Sequence, residues 1–239
     1  MSDTGFHKNI IKADSHFNPT CWTEVLAAGQ GNYSSLENLC GRYWLPLYSY
    51  ARKSGKDSNT AQDLTQGFFT WLLEKEKIQE MEQGKGKFRN FILILFKRYI
   101  INEFQKSLAE KRGGKLTQID FQETEEWLKS ADLTPEESFN KSWALTMIEQ
   151  VMREIEQRFI SQGDQQRFEV MRPHLDDSTS KTYKQSAAEL GLNENSFKVA
   201  IHRLKKEFGK LLRLRIQATL DNDSDIDEEL SFLINSMKK

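Results

Sequence analysis

Apolar residues along this chain recur at intervals of three and four rather than in alternation, so the pattern predicts helices and no convincing strand. Leu36, Leu39, Cys40, Tyr43, Leu47 and Tyr50 share one helical face, opened by a capping box over Ser34 to Glu37, kinked at Pro46 and ended by Gly55. A second helix is predicted to start near Asn59 or Thr60, with Ala61, Leu64, Phe68, Trp71 and Leu72 turned inward. Gly84 and Gly86 punctuate the way to a third, Phe88 to Ala109. Its apolar positions Phe88, Phe91, Ile92, Leu95, Phe96, Tyr99, Ile100 and Phe104 are numerous enough for deep burial.

Gly113 and Gly114 open a polar, acidic stretch that reads as a linker. Thr134-Pro135-Glu136-Glu137 then combines an N-cap, a proline at the first helical position and a glutamate at the third, which starts a helix sharply. Phe139, Trp143, Met147, Ile148, Val151, Ile155 and Phe159 carry it on, and a shorter helix follows around Arg167 to Met171. Tyr183 to Leu190 is a short helical pattern, Gly191-Leu192 a tight turn, and Asn193 the N-cap of a long helix reaching about Ile216. Phe197, Ala200, Ile201, Leu204, Phe208 and Leu211 form its apolar face, opposite Asn195, Lys198, Val199, His202, Lys205 and Lys206. Short helix, glycine turn and long basic helix make a helix-turn-helix, whose second helix fits a DNA major groove about 12 Å wide.

The expected architecture is therefore all-α, with two helical domains. A lead-in covers 1–20, a helical bundle 21–112, an acidic linker 113–133, the helix-turn-helix domain 134–216 and an acidic helical extension 217–239.

Charge changes the picture more than composition does. The net charge of −1 hides segregation. Gly84 to Lys115 holds nine basic residues against two acidic ones, and Lys181 to Arg215 nine against three. Acidic residues collect over Asp120 to Glu137 and Asp221 to Glu229. Two separated basic surfaces suit a polyanion such as nucleic acid. The acidic C-terminal block is placed to fold back on one of them.

Asn195, Ser196, Lys198 and His202 are the candidates for base edges, and Lys184, Arg203, Lys205 and Lys206 for phosphate. On the third helix, Arg98, Asn102, Gln105 and Lys106 line one stripe near Phe96, Tyr99 and Phe104, a mixture able to hold a single strand by stacking and charge. The plainer reading of both surfaces is a solvated basic face, with the aromatics in the core.

Enzymatic readings find little support. Gly84-Lys85-Gly86-Lys87 lacks the spacing of a phosphate loop, and His7, His16, His174 and His202 are scattered without metal-ligand spacing. No active site, metal or cofactor is expected. Cys21 and Cys40 are read as buried reduced thiols. No apolar run approaches the ~20 residues of a membrane span, and the N-terminus lacks a signal-peptide pattern, so no membrane partner and a cytoplasmic location are expected.

The order of these motifs resembles the extracytoplasmic-function group of sigma-seventy family factors, in particular a subgroup seen in planctomycete-like bacteria. Ala61-Gln62-Asp63-Leu64-Thr65-Gln66-Gly67-Phe68-Phe69 is similar to the segment with which these factors bind the clamp of the polymerase largest subunit. Gly86-Lys87-Phe88-Arg89-Asn90-Phe91, running on to Arg98, Asn102 and Lys106, resembles the helix that melts and reads the promoter minus-ten element. Ser186-Ala187-Ala188-Glu189-Leu190-Gly191-Leu192 with Val199-Ala200-Ile201-His202-Arg203-Leu204 resembles the helix-turn-helix that reads the minus-thirty-five element.

The likeness runs from Trp22 to the acidic Asp227-Glu228-Glu229-Leu230 tail; the polar spacer over Asp164 to Thr182 and the segment after Ile216 depart from the minimal plan. It implies a sigma-two domain over 21–112 and a sigma-four domain over 134–216. Asp63, Leu64, Gln66 and Phe69 would bind polymerase, and Arg89, Arg98, Asn102, Gln105 and Lys106 the minus-ten strand. The implied partners are core RNA polymerase, including the flap of its second subunit, double-stranded promoter DNA, the melted minus-ten strand, and an anti-sigma factor or other regulator. Two other readings stay open: a helix-turn-helix regulator that never touches polymerase, and a helical protein-interaction module.

Overall fold

A computed structural model of the chain describes residues 21–73, 87–110, 133–176, 178–220 and 225–238. The expected lead-in, the Gly84 to Gly86 connection, the linker up to residue 132, Lys85, Lys111, Arg112, Lys115 and residues 221–224 of the acidic block lie outside them. Every regular element among the described residues is helical. In chain order these are α1 (Cys21–Gly29), α2 (Tyr33–Lys53), α3 (Ser58–Leu72), α4 (Phe88–Glu110), α5 (Pro135–Ser161), α6 (Gln165–Met171), a 3-10 turn Arg172–His174, α7 (Tyr183–Glu189), α8 (Glu194–Gln217) and α9 (Ile226–Lys238).

Most boundaries follow the sequence signals. The helix expected to start at Thr134 does so: Thr134 accepts from the Glu137 backbone while the Glu137 side chain accepts from the Thr134 backbone, a reciprocal capping box. Two caps differ. Helix α2 is capped by Asn32, whose side chain accepts from the Ser35 N–H at 3.1 Å, rather than at Ser34; Asn32 lies two residues nearer the Gly31 turn and so reaches the free helix-end amides first. Helix α3 is capped by Asp57, which takes the Asn59 and Thr60 N–H groups at 3.0 Å each. Pro46 sits inside α2, which continues through it without interruption, and is buried. Helix α1 is an addition to the sequence reading, although Cys21, Val25 and Ala28, all buried, carry its 4 and 3 spacing.

Helix α5 is the hub. It packs most extensively on α2, and also on α6, α8 and α9. Its Phe139, Trp143, Ala144, Met147, Val151 and Ile155 are all buried, and Ser142 donates to Ser49 of α2 at 2.8 Å within the core. The N-terminal and C-terminal helices thus share one continuous core. Further ties cross between them. The Cys21 N–H donates to the Ala218 carbonyl at 2.9 Å, the Phe88 N–H to the Thr219 carbonyl at 3.1 Å, and Gln150 of α5 to the Gly41 carbonyl at 2.9 Å.

Helices α3 and α4 meet through aromatic rings. Phe68 lies 5.1 Å from Phe96 and 5.7 Å from Tyr99 by ring centroid, and Trp71 5.7 Å from Tyr99. Gly67 permits this approach. A Cβ there would sit inside the van der Waals surface of the Tyr99 hydroxyl and 3.5 Å from its ring carbon Cζ. The ring is held by neighbours and is only 9% exposed, so it has little room to give. Cys21 is buried as expected, whereas Cys40 is only half-buried: it packs at the edge of the core and lines a groove between α2 and α3.

Two predictions follow from the packing and the caps. Gly67→Ala should cost about 1 to 3 kcal/mol by overpacking, and the same change in a Tyr99→Phe background distinctly less, as read by a denaturation double-mutant cycle. Asp57→Ala should cost about 1 kcal/mol near neutral pH. The Thr60 hydroxyl, followed by the backbone amides, holds the Asp57 carboxyl below its usual range. Stabilisation by a depressed acid is complete above its unfolded pKa and lost as pH falls through the folded one. The deficit of the variant should therefore shrink below pH 3.8 in pH-resolved urea melts.

Candidate functional site

The long helix α8 is amphipathic by construction. Phe197, Ile201 and Leu204 are almost wholly buried, which fixes its rotation and leaves the opposite face in water. Asn193 caps it, accepting from the Ser196 N–H at 2.8 Å. Helix α7 is held beside it by a turn at Gly191, whose φ of 64° lies in the left-handed region that glycine favours. Leu192 N–H closes the turn on the Ala187 carbonyl at 2.9 Å. Below this pair the His174 ring lies 5.0 Å from Tyr183 and 5.3 Å from Phe197, and its Nε2 sits 2.8 Å from the Ser186 hydroxyl. His174, one of four scattered histidines in the sequence, is a core residue of the two-helix unit.

All the candidate residues of this unit are exposed: Lys184 on α7, and Asn195, Ser196, Lys198, His202, Arg203, Lys205 and Lys206 on α8. Lys198 pairs with Glu194 one turn earlier at 2.6 Å. That ammonium holds the exposed Glu194 carboxyl below its usual range. Val199 shares this outer face by its spacing. It is 50% exposed between Asn195 and His202, where an apolar group can meet a thymine methyl.

A second exposed stripe runs along α4. Arg98, Asn102, Gln105 and Lys106 are all in solvent, and Lys106 reaches back to Glu103 at 2.7 Å. Ile94 and Ile101, 51% and 55% exposed, interleave with them at the 4 and 3 spacing of one face. Phe96 and Tyr99 are buried beneath, so they are core and not stacking platforms. Phe104, expected in the core, is instead half-exposed, with the Lys56 ammonium 5.6 Å from its ring centre. Cations, amides and exposed apolar groups on one ridge suit a polyanionic strand.

Arg89 departs from the set. It is buried on the opposite side of α4. Its Nε donates to Glu229 of α9 at 2.8 Å, a second guanidinium nitrogen to the other carboxylate oxygen at 3.3 Å, and the third to Asn140 of α5 at 2.8 Å. The guanidinium carbon lies 3.9 Å from the centre of the Phe232 ring and 5.2 Å from that of Trp143. Lys87 completes the cage around Glu229 at 3.1 Å and also binds Glu228 at 2.7 Å. Nothing local in the sequence signals this cluster, whose members come from three helices and the residue before α4.

On α3, Asp63 and Gln66 share an exposed face with Thr70, while Leu64 is half-buried. Phe69 is only 5% exposed; it packs edge-on against Phe68 at 5.9 Å and presents its rim to a shallow groove lined by Leu36, Cys40, Trp44, Gln66 and Leu73. It therefore shapes that face from below. No helix among the described residues is long and apolar enough to cross a membrane.

No family model matches the chain, and no curated protein or solved structure matches it either.

The Arg89 cage makes a sharp prediction. Arg89→Met should destabilise the fold by about 3 to 5 kcal/mol, because it strands a buried carboxylate with one remaining cation. Arg89→Met combined with Glu229→Leu should recover most of that loss in chemical denaturation, since an apolar pair of similar size removes both charges.

Proposed function

We propose that this protein is a transcription initiation factor of the sigma type, which binds core RNA polymerase and directs it to promoters. The observation that carries the reading is the outer face of α8. Asn195, Ser196, Lys198, Val199, His202, Arg203, Lys205 and Lys206 stand in water along one helix, held by a glycine turn against a short partner helix. Base-edge readers at the start of that helix and phosphate-binding cations beyond them suit major-groove reading of a minus-thirty-five element. The α4 ridge supplies the second contact, for a minus-ten strand whose bases leave the stack at a cost of a few kcal/mol. Asp63 and Gln66, over the α3 groove, offer the face for the polymerase clamp. In this reading residues 21–112 form a sigma-two unit and 134–216 a sigma-four unit, located in the cytoplasm, and nucleotide polymerisation belongs to the partner enzyme.

The exposed α8 face would serve equally well in a regulator that never touches polymerase. In vitro transcription with bacterial core polymerase on a genomic promoter library separates the two. The expected outcome is discrete new start sites sharing two spaced motifs; no new starts, with DNA binding and an active core verified, favours the regulator.

Residue roles are tested in the same assay. Lys198→Glu with His202→Ala should lower discrimination between promoters at least about tenfold while sparing polymerase binding, given ~1 to 3 kcal/mol per lost base-pair contact. Asp63→Ala with Gln66→Ala should do the reverse. Equal damage to both functions by both pairs would refute the assignment.

A further inference from the structure

Three consecutive carboxylates in the first turn of α9 touch both basic blocks of the chain. Asp227 binds Arg213 of α8 at 2.6 Å. Glu228 binds Lys87 at 2.7 Å, and Glu229 binds Lys87 at 3.1 Å and Arg89 at 2.8 Å. Lys87 and Arg89 belong to the first basic block and Arg213 to the second. We propose that α9 is an autoinhibitory latch, whose acidic first turn occupies cations of both basic blocks and competes with nucleic-acid phosphate for them. The proposal rests on the DNA-binding reading above and adds its regulation.

The chemistry of the site supports a latch with two discrete states. Glu229 is completely buried, and a carboxylate out of water persists only with its cations in place. Undocking α9 therefore hydrates Glu229 and releases Lys87 and Arg89 together. The Lys87 ammonium lowers the pKa of the exposed Glu228 carboxyl, so that acid is held in its charged, competing form.

The apolar hold on α9 is one-sided: Ile226 and Leu233 are buried and Leu230 and Phe232 pack against the core, while Ile234 is 51% and Met237 38% exposed. A 13-residue helix is marginal on its own in water, so the released segment loses its helix instead of docking elsewhere as one. The chain before it stays tied, because Ala218 and Thr219 are held by the backbone of Cys21 and Phe88. Opening thus uncovers the side of α5 that α9 covers, while the backbone ties at Ala218 and Thr219 hold the other helices in place. A dense phosphate array is a suitable competitor: simple salt screens the rim pairs at Lys87 and Arg213, but does not replace a buried bidentate partner.

The test uses the full chain and a 30-base-pair duplex, followed by fluorescence anisotropy over a salt series. Asp227→Asn with Glu228→Gln removes two exposed acids of the latch and leaves the buried Glu229 intact. Glu149→Gln with Glu169→Gln removes two exposed acids elsewhere and controls for net charge. The latch variant should bind at least tenfold more tightly than the wild type and clearly more tightly than the control. Hydrogen exchange on the wild-type chain supplies a readout that needs no mutation: saturating duplex should strip protection from the amides of residues 226–238. Equal affinity of the latch variant and the control, or undiminished protection of α9 in the bound complex, overturns the latch while leaving DNA binding standing. No binding by any form at low salt overturns the DNA reading, and the latch with it.

Discussion

A helix that buries most of its circumference has to be covered from several sides, and Pro135–Ser161 is such a helix. Its buried residues include Ser138 and Phe139, then Ser142, Trp143 and Ala144, and then Thr146 and Met147, too wide an arc for a single neighbour. The rest of the structure depends on meeting that demand. Tyr33–Lys53 covers one side, Glu194–Gln217 and Ile226–Lys238 cover others, and the small hydroxyls of Ser49 and Ser142 let two helices approach while satisfying each other. The halves that the sequence separates by an acidic stretch consequently lie on one core, tied at its margin by backbone bonds through Ala218 and Thr219.

Charge is used in two ways. Within the core, ions occur in closed sets: Arg42 spans Glu24 at 2.6 and 3.2 Å and also donates to the Cys21 sulfur at 3.2 Å, while Arg89 spans Glu229. Burial pushes the Glu24 carboxyl and the Cys21 thiol up, and the Arg42 guanidinium pulls each back, so the set is stable only as a whole. On the surface, cations along the α4 and α8 ridges stand in solvent, where their pairs with Glu103 and Glu194 are rim contacts worth little to stability. That division leaves the exposed cations free to exchange a carboxylate for another anion without cost to the fold.

The candidate site was largely legible where it lies on one helix. Asn195, Lys198, His202 and Lys206 follow from the 3.6-residue period once Phe197, Ile201 and Leu204 are recognised as the buried face, and the stripe Arg98, Asn102, Gln105 follows in the same way from Ile92, Phe96 and Tyr99. Phe69 and Arg89, which the resemblance places among the polymerase-binding and strand-binding residues, lie on the inward side of their helices, against Phe68 in one case and against Trp143 and Phe232 in the other.

The sequence by itself determined the all-helical class, the Thr134 and Asn193 caps, the Gly191 turn and the segregation of basic from acidic stretches, because each is a local matter of periodicity, hydrogen-bonding side chains or backbone freedom. Only the tertiary structure decided that Arg89 meets Glu229 across 140 positions of chain, that Gly67 makes room for Tyr99, and that the two halves close over Pro135–Ser161. Those are choices between faces that look alike in one dimension. Burial resolves them, since the free energy of a side chain depends on every element packed against it and not on its neighbours in sequence.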